Sequence, residues 1–407
     1  MTNAVCVDVG STYTKACLVS LDDGALIARS EVPTTSDTDV LTGLDKAVTE
    51  LGGTGEMYVC SSAGGGLRLA VVGYEALVTA EAGHRAGLSA GAQVVHVAAG
   101  LLNGAAIAAL RAARPDVILL VGGTDGGDGE VLLHNARRLG TARVRLPVVV
   151  AGNAEVRAEA AALLTDRGLD VTVTGNVLPR IGVLDPGPAR AAIREVFLRH
   201  VIGGKRLSRG RRFTSLVRAA TPDAVLAGVE LLADTTETGV LVVDVGGATT
   251  DVYSALVPDE SLFADVAGNQ WRSRTVEGDL GVAVSAPATV AAAAAARLPP
   301  AGDSDVSVAS AAAILALRRH ARGRDLSSVT RVIGSGGVLR HGGGADVLEA
   351  VMGDTGGGWA PPRTARRMID SRYVLAAAGL LAADHPVAAA GLLSDLEAAG
   401  GPFGYTR

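Results

Sequence analysis

The chain has 407 residues, enough for roughly two to three domains, or for two lobes with an insertion. Apolar residues at 48% and charged residues at 19% exclude wholesale disorder, and a net charge of −5 excludes the basic footprint of a dedicated nucleic-acid binder. Aromatics at 3% leave Ala, Val, Leu and Ile to fill the interior, and three cysteines are too few for a disulfide framework, which points to a reducing cytoplasm.

The first 35 residues read as a three-strand meander: Ala4–Val9, Lys15–Ser20 and Ala25–Val32, with Gly10-Ser11-Thr12-Tyr13 and Asp22-Asp23-Gly24 as turns. Leu41, Leu44, Val48 and Leu51 then recur at helical spacing, and Glu56–Cys60 reads as the next strand. Such an order is the opening of an RNase H-like sheet. Between Leu67 and Val177, strand-like runs alternate with helical ones, the signature of βαβ units on a parallel sheet. Pro179–Pro188 reads as a connector, Ala189–His200 as a helix, and Gly203–Arg212 as a basic loop. A helix near Asp223–Leu232 leads to strands at Val240–Val245 and Asp251–Leu256. Helices follow at Ala288–Ala296 and Ser307–Arg322, then a strand at Arg331–Ile333, and a helix around Tyr373–Ala383 closes the chain. The expected units are 1–66 as the first part of lobe I and 67–180 as its remainder with a wound insertion. Residues 181–235 are expected as connector helices with the basic loop, 236–390 as lobe II, and 391–407 as a C-terminal tail.

The longest uncharged run, Gly281–Ala296, contains Pro287 and falls short of the ~20 apolar residues that span a bilayer. Met1-Thr2-Asn3-Ala4 carries no basic and apolar leader. A soluble cytoplasmic protein with no membrane or nucleic-acid partner is expected, with homo-oligomerisation left open.

One long-range echo carries chemistry. Val7-Asp8-Val9-Gly10-Ser11-Thr12 and Val243-Asp244-Val245-Gly246-Gly247-Ala248-Thr249 each read as strand, aspartate, glycine turn, strand. Glycine amides approach an anion closely, and Ser11, Thr12, Thr249 and Thr250 add donors. Two such turns facing each other suit a polyphosphate, with Asp8 and Asp244 as oxygen ligands for a hydrated Mg²⁺. Tyr13 and Lys15 stand beside the first turn, and Lys15 reaches either a phosphate or solvent. Gly334-Ser335-Gly336-Gly337 offers a bare backbone to an adenosine.

Asp8–Thr14, Val243–Val252 and Val332–Gly337 resemble, in order, the two phosphate motifs and the adenosine motif of the actin, heat-shock-chaperone and sugar-kinase superfamily. Ala248 departs from it where chaperones often carry a third glycine. A narrower resemblance covers most of the chain. Cys60–Leu67, Leu120–Gly127, Ala151–Asn153, Gly175–Pro179, Thr275–Gly281 and Tyr373–Leu380 are similar to the glutamate mutase accessory family, the MutL type found with adenosylcobalamin-dependent mutases. The resemblance implies an α/β, two-lobed actin-like ATPase fold with duplicated RNase H-like cores and an insertion in the first lobe. It also implies ATP and Mg²⁺ as cofactors, mutase subunits as partners, and cobalamin reached only through the mutase. A reactivating ATPase is the expected function; a small-molecule kinase of the same superfamily, or an assembly factor that binds nucleotide without turnover, are the alternatives.

Asp125, in Gly122-Gly123-Thr124-Asp125-Gly126-Gly127, is a third candidate catalytic carboxylate or, alternatively, a helix cap. Glu277 and Asp279 are read as either cleft-lining or structural, and Cys60 as a small core residue rather than a nucleophile.

Overall fold

A computed structural model describes residues 2–63, 67–90, 92–202, 207–257, 271–300, 302, 304–322, 324–357 and 363–399. Gly64–Gly66 of the Cys60–Leu67 motif, Lys205 and Arg206 of the basic loop, and 400–407 of the expected tail lie outside the described residues.

The chain opens as the sequence predicts. Strands β1 (Asn3–Val9), β2 (Tyr13–Ser20) and β3 (Leu26–Pro33) form an antiparallel meander. The helix Val40–Glu50 follows, capped by Asp39, whose carboxylate accepts from the Leu41 amide at 2.9 Å. Its Val40, Leu44 and Ala47 are buried, and β4 (Glu56–Ser61) returns parallel to β1. The chain then builds a separate parallel sheet from β5 (Arg68–Gly73), β6 (Gln93–Ala99), β7 (Val117–Leu120), β8 (Val148–Val150) and β9 (Val171–Val173), in the order β6-β5-β7-β8-β9. The runs Val-Ile-Leu-Leu of β7 and Val-Val-Val of β8 are wholly buried, as helices on both faces of such a sheet require. The helix Gly187–Val196 leads back to β10 (Val217–Ala220), which completes the first sheet beside β4.

The second lobe repeats the plan. After the helix Thr221–Thr236 come β11 (Gly239–Val245), β12 (Thr250–Ala255), β13 (Arg272–Glu277), β14 (Val329–Ser335) and β15 (Arg366–Ile369). The two lobe sheets run β10-β4-β1-β2-β3 and β13-β12-β11-β14-β15. Each is a three-strand meander plus two parallel strands, a duplicated RNase H-like core. The fold is therefore two-lobed and actin-like, and the wound α/β insertion falls between the fourth and fifth strands of the first lobe.

Three of these strands escaped the sequence reading, and β10 lies inside the stretch expected as connector. Strands β10, β13 and β15 each hold an edge of their sheet and carry arginines: Arg218, Arg272 and Arg274, Arg366 and Arg367. Edge strands tolerate charge that a central strand would not, so their apolar alternation is weak. A second correction concerns the chain's end. The helix near Tyr373, observed at Val374–Leu381, does not close the chain, because Pro386–Ala399 forms another helix. Its Ala389, Leu392, Leu393 and Leu396 recur at helical spacing and are buried, so the chain to Leu396 packs into the core.

A shared core joins the lobes. It gathers Ala4, Cys6, Val19 and Tyr58 from the first sheet, Val240, Val242 and Tyr253 from the second, and the helices Thr221–Thr236, Val374–Leu381 and Pro386–Ala399. Two of these helices cross in backbone contact. A β-carbon on Gly379 would stand 1.8 Å from the Ala224 carbonyl, and one on Gly228 would stand 2.1 Å from that of Leu375. This crossing seats the helices' polar starts beside the aspartate turns.

Candidate functional site

The two echoing motifs fold into matching turns. In the first, the Gly10 amide donates to the Tyr13 carbonyl at 3.0 Å; in the second, Gly246 donates to Thr249 at 2.9 Å. Asp8 and Asp244 occupy the same register, two residues before each turn. At Gly10 a β-carbon would come within 2.7 Å of the Tyr13 carbonyl, so the tight closure demands glycine there. Ser11, Thr12 and Tyr13 are exposed at the tip of the first turn. In the second, the Ala283 amide donates to the Gly247 carbonyl at 2.9 Å, and the Ser285 hydroxyl to that of Ala248 at 2.6 Å.

The turns meet through Lys15. It pairs with Asp8 across the β1–β2 ladder, and its ammonium stands 3.6 Å over the Tyr373 ring of the second lobe. Burial works against its charge, but Asp8, Tyr373 and Asp244 together outweigh that and raise its pKa. Asp244 is itself pushed up to about 6, by burial first and then by Asp251; Lys15 opposes this, Asp8 adds to it, and the Ser335 hydroxyl opposes it. Residues far apart in the chain thus form one charged cluster: Asp8, Lys15, Asp244, Ser335 and Tyr373.

Four further residues complete the cluster without having been singled out from sequence. Thr221, at the start of the interlobe helix, donates its hydroxyl to Asp8. Arg274, almost fully buried, pairs with Asp251 at 3.0 Å. Asp370 accepts from the Val374 amide at 2.9 Å and fixes the start of that helix. Arg340 stands over the Tyr373 ring at 3.9 Å and reaches Glu31 of the first lobe at 2.7 Å. An apolar periodicity search passes over them, since each is a single polar residue whose partner comes from another element.

Several sequence-predicted residues sit elsewhere or act otherwise. Thr250 is fully buried and donates to the Leu280 carbonyl at 3.1 Å, so its hydroxyl proton is committed to the fold. In the adenosine motif, Gly334 and Ser335 end β14 inside the core. Gly336 has φ 104° and lies against the Val245 carbonyl, and Gly337 faces open space. Asp125 stands at the C-terminal edge of the inserted sheet, where it accepts from the Ala154 amide at 2.8 Å and from Asn176 at 2.9 Å. These bonds tie together the loops after β7, β8 and β9. The cap of the helix Glu130–Thr141 falls instead at Gly129, and Asp128 accepts from the Glu130 amide at 2.8 Å. Glu277 and Asp279 both hold Arg319. Cys60 is buried, and burial first, then Asp8, pushes its thiol well above the ordinary range, which removes the thiolate a nucleophile needs. A separate groove of about 450 Å³ runs between the helices Gly187–Val196 and Thr221–Thr236, lined by Arg190, Arg194, Asp223 and Glu230.

The family model described as MutL protein matches residues 4–314 and 301–396. Protein MutL of Clostridium tetanomorphum is 34% identical over 443 residues, covering 93% of this chain and 96% of its own. The chain belongs to the MutL family. This is the glutamate mutase accessory family that the motifs resemble. Among solved structures, the MutL-family chain is similar to the activator of 2-hydroxyisocaproyl-CoA dehydratase from Clostridium difficile with bound ADPNP. That likeness is 11% identical, covers 97% of this chain and 98% of the other, and has a TM-score of 0.34. Xylulose kinase from Bifidobacterium adolescentis is 12% identical, covering 97% and 93%, with a TM-score of 0.36. Among the described residues, no helix is long and apolar enough to cross a membrane.

Proposed function

We propose that this MutL-family protein binds and hydrolyses Mg–ATP between its lobes and uses the nucleotide state to remodel an adenosylcobalamin-dependent mutase. The observation that carries the reading is the convergence of Asp8, Lys15 and Asp244, from two matching turns, on one cluster. The donor set fits a magnesium triphosphate. Asp8 and Asp244 are oxygen ligands of the kind Mg²⁺ takes. Lys15 supplies a fixed positive charge, the Gly10, Gly246 and Gly247 turns bring small residues to the phosphates, and Gly337 leaves room beside the adenosine loop. Ser11, Thr12 and Thr249 add hydroxyl donors at the turn tips, and Tyr13 flanks them.

When bound, Mg²⁺ neutralises charge on the phosphoryl oxygens. The protein's own part is electrostatic positioning: Asp8, oriented by Thr221, and Asp244, oriented by Ser335, would hold an attacking water in line with the terminal phosphate. Because each turn belongs to a different lobe, a ligand that grips both favours one lobe arrangement, and differential affinity is what converts nucleotide binding into work on a partner. The mutase as partner rests on family membership, and cobalamin is reached only through it.

The test has two arms. Calorimetry with ATP is expected to show binding with Mg²⁺ and its loss with EDTA. Inactivated mutase, fresh adenosylcobalamin, Mg²⁺ and ATP are expected to regain activity with this protein present, and not with a non-hydrolysable analogue. A mutase that stays dead under every nucleotide condition would end the reactivation reading.

A further inference from the structure

Lys15 is one of three lysines in the chain, with Lys46 and Lys205, among 37 lysines and arginines together. Its head is a compact point charge on a flexible stem, and such a side chain wanders unless a second contact holds it. The Tyr373 ring supplies that contact, with the ammonium 3.6 Å from its centroid on the face where the ring's quadrupole attracts cations. The ring is itself held. Tyr373 has φ 57°, a left-handed conformation that a β-carbon disfavours, so its surroundings must enforce it.

Those surroundings are visible. Arg340 also stands over the Tyr373 ring at 3.9 Å and is anchored by Glu31 at 2.7 Å. Asp370 fixes the helix that begins one residue after Tyr373. Glu31 and Lys15 come from the first lobe, Arg340 and Tyr373 from the second, so the stack spans the lobe boundary. Two cations on one ring repel each other. Glu31 offsets the charge of Arg340, and Asp8 with Asp244 offsets that of Lys15.

We propose that Tyr373 is the positioning residue for Lys15, fixing its ammonium where the two aspartate turns meet so that an incoming triphosphate finds an ordered cation. The inference deepens the Mg–ATP reading and rests on it. A Tyr373→Leu substitution keeps an apolar residue but removes the ring face, whereas Tyr373→Phe keeps the face.

Two measurements test this. The first needs no nucleotide: acylation of Lys15 by acetic anhydride at one pH, read by mass spectrometry against the exposed Lys46 as internal standard. Tyr373→Leu is expected to raise Lys15 labelling roughly fivefold, and Tyr373→Phe to stay within about twofold of the wild type. The second is a double-mutant cycle on the ATP dissociation constant. Tyr373→Leu is expected to weaken binding roughly five- to tenfold in the wild type but by under about twofold in a Lys15→Met background. Equal labelling in the Leu and Phe variants, or equal losses in both backgrounds, overturns the proposal. If the wild type binds no ATP at all, the nucleotide reading fails, and the labelling contrast alone decides whether Tyr373 fixes Lys15. Matching far-ultraviolet spectra and melting profiles ensure that folded variants are compared.

Discussion

The two aspartate turns are copies in backbone but differ in charge. Both close with the same glycine-to-carbonyl bond, and both carry the aspartate at the same register. Across the ladder, however, Asp8 faces Lys15 while Asp244 faces Asp251. The first turn brings its own counter-charge; the second carries a surplus of carboxylate and depends on Arg274 behind it and on Lys15 from the other lobe. The difference teaches that duplication preserved the scaffold, and that the two halves became electrostatically dependent on each other. A site built this way is complete only when the lobes meet.

The largest expected effect breaks the second turn's support. Arg274→Met leaves Asp251 buried and uncompensated, which should cost about 3–5 kcal/mol in urea unfolding. Pairing it with Asp251→Asn should recover most of the loss, and failure to recover would mean that Arg274 supports something other than this carboxylate. Next, Asp8→Asn and Asp244→Asn should each lower ATP turnover by at least about 100-fold, roughly 2.7 kcal/mol, and the double variant should be little worse than either. If one substitution is harmless, the two turns are not partners in a single site.

The smallest effect sharpens the same contrast through Asp223, which draws on the Arg274 charge as Asp251 does. Burial first, against the pull of Arg194, Arg190 and Arg274, pushes its carboxyl up to about 6. A raised acid holds its proton in the fold at a pH where the unfolded chain has lost it. Its stabilising contribution is therefore full below about pH 4 and disappears as the pH rises to about 6. Asp223→Asn should accordingly stabilise the protein by about 1–2 kcal/mol at pH 7.5 and change little at pH 4, read from denaturation midpoints. Equal effects at both pH values would show that the carboxyl is not strained by burial.

Much of the fold was legible because local patterns carry it. Continuous apolar runs mark β7 and β8, the Leu41–Leu51 spacing marks the first helix, and the aspartate–glycine echo marks both turns. The edge strands β10, β13 and β15 were not legible, since each is short and broken by arginine, so no apolar alternation marks it in the sequence. The candidate site divides the same way. Asp8, Lys15 and Asp244 could be named from motifs. Thr221, Arg274, Arg340 and Asp370 could not, because a polar residue's role depends on a partner that only folding supplies.

Sequence by itself determined that this chain would make two glycine-tight turns tipped by carboxylates, for turn chemistry is decided within a few residues. Tertiary structure decided that Thr250 is a core hydroxyl, that Asp125 ties loops of the insertion, and that one tyrosine holds the lysine between the lobes. Those outcomes turn on burial and on charges from distant segments, and neither is fixed until the helices cross at Gly228 and Gly379 and bring the lobes together.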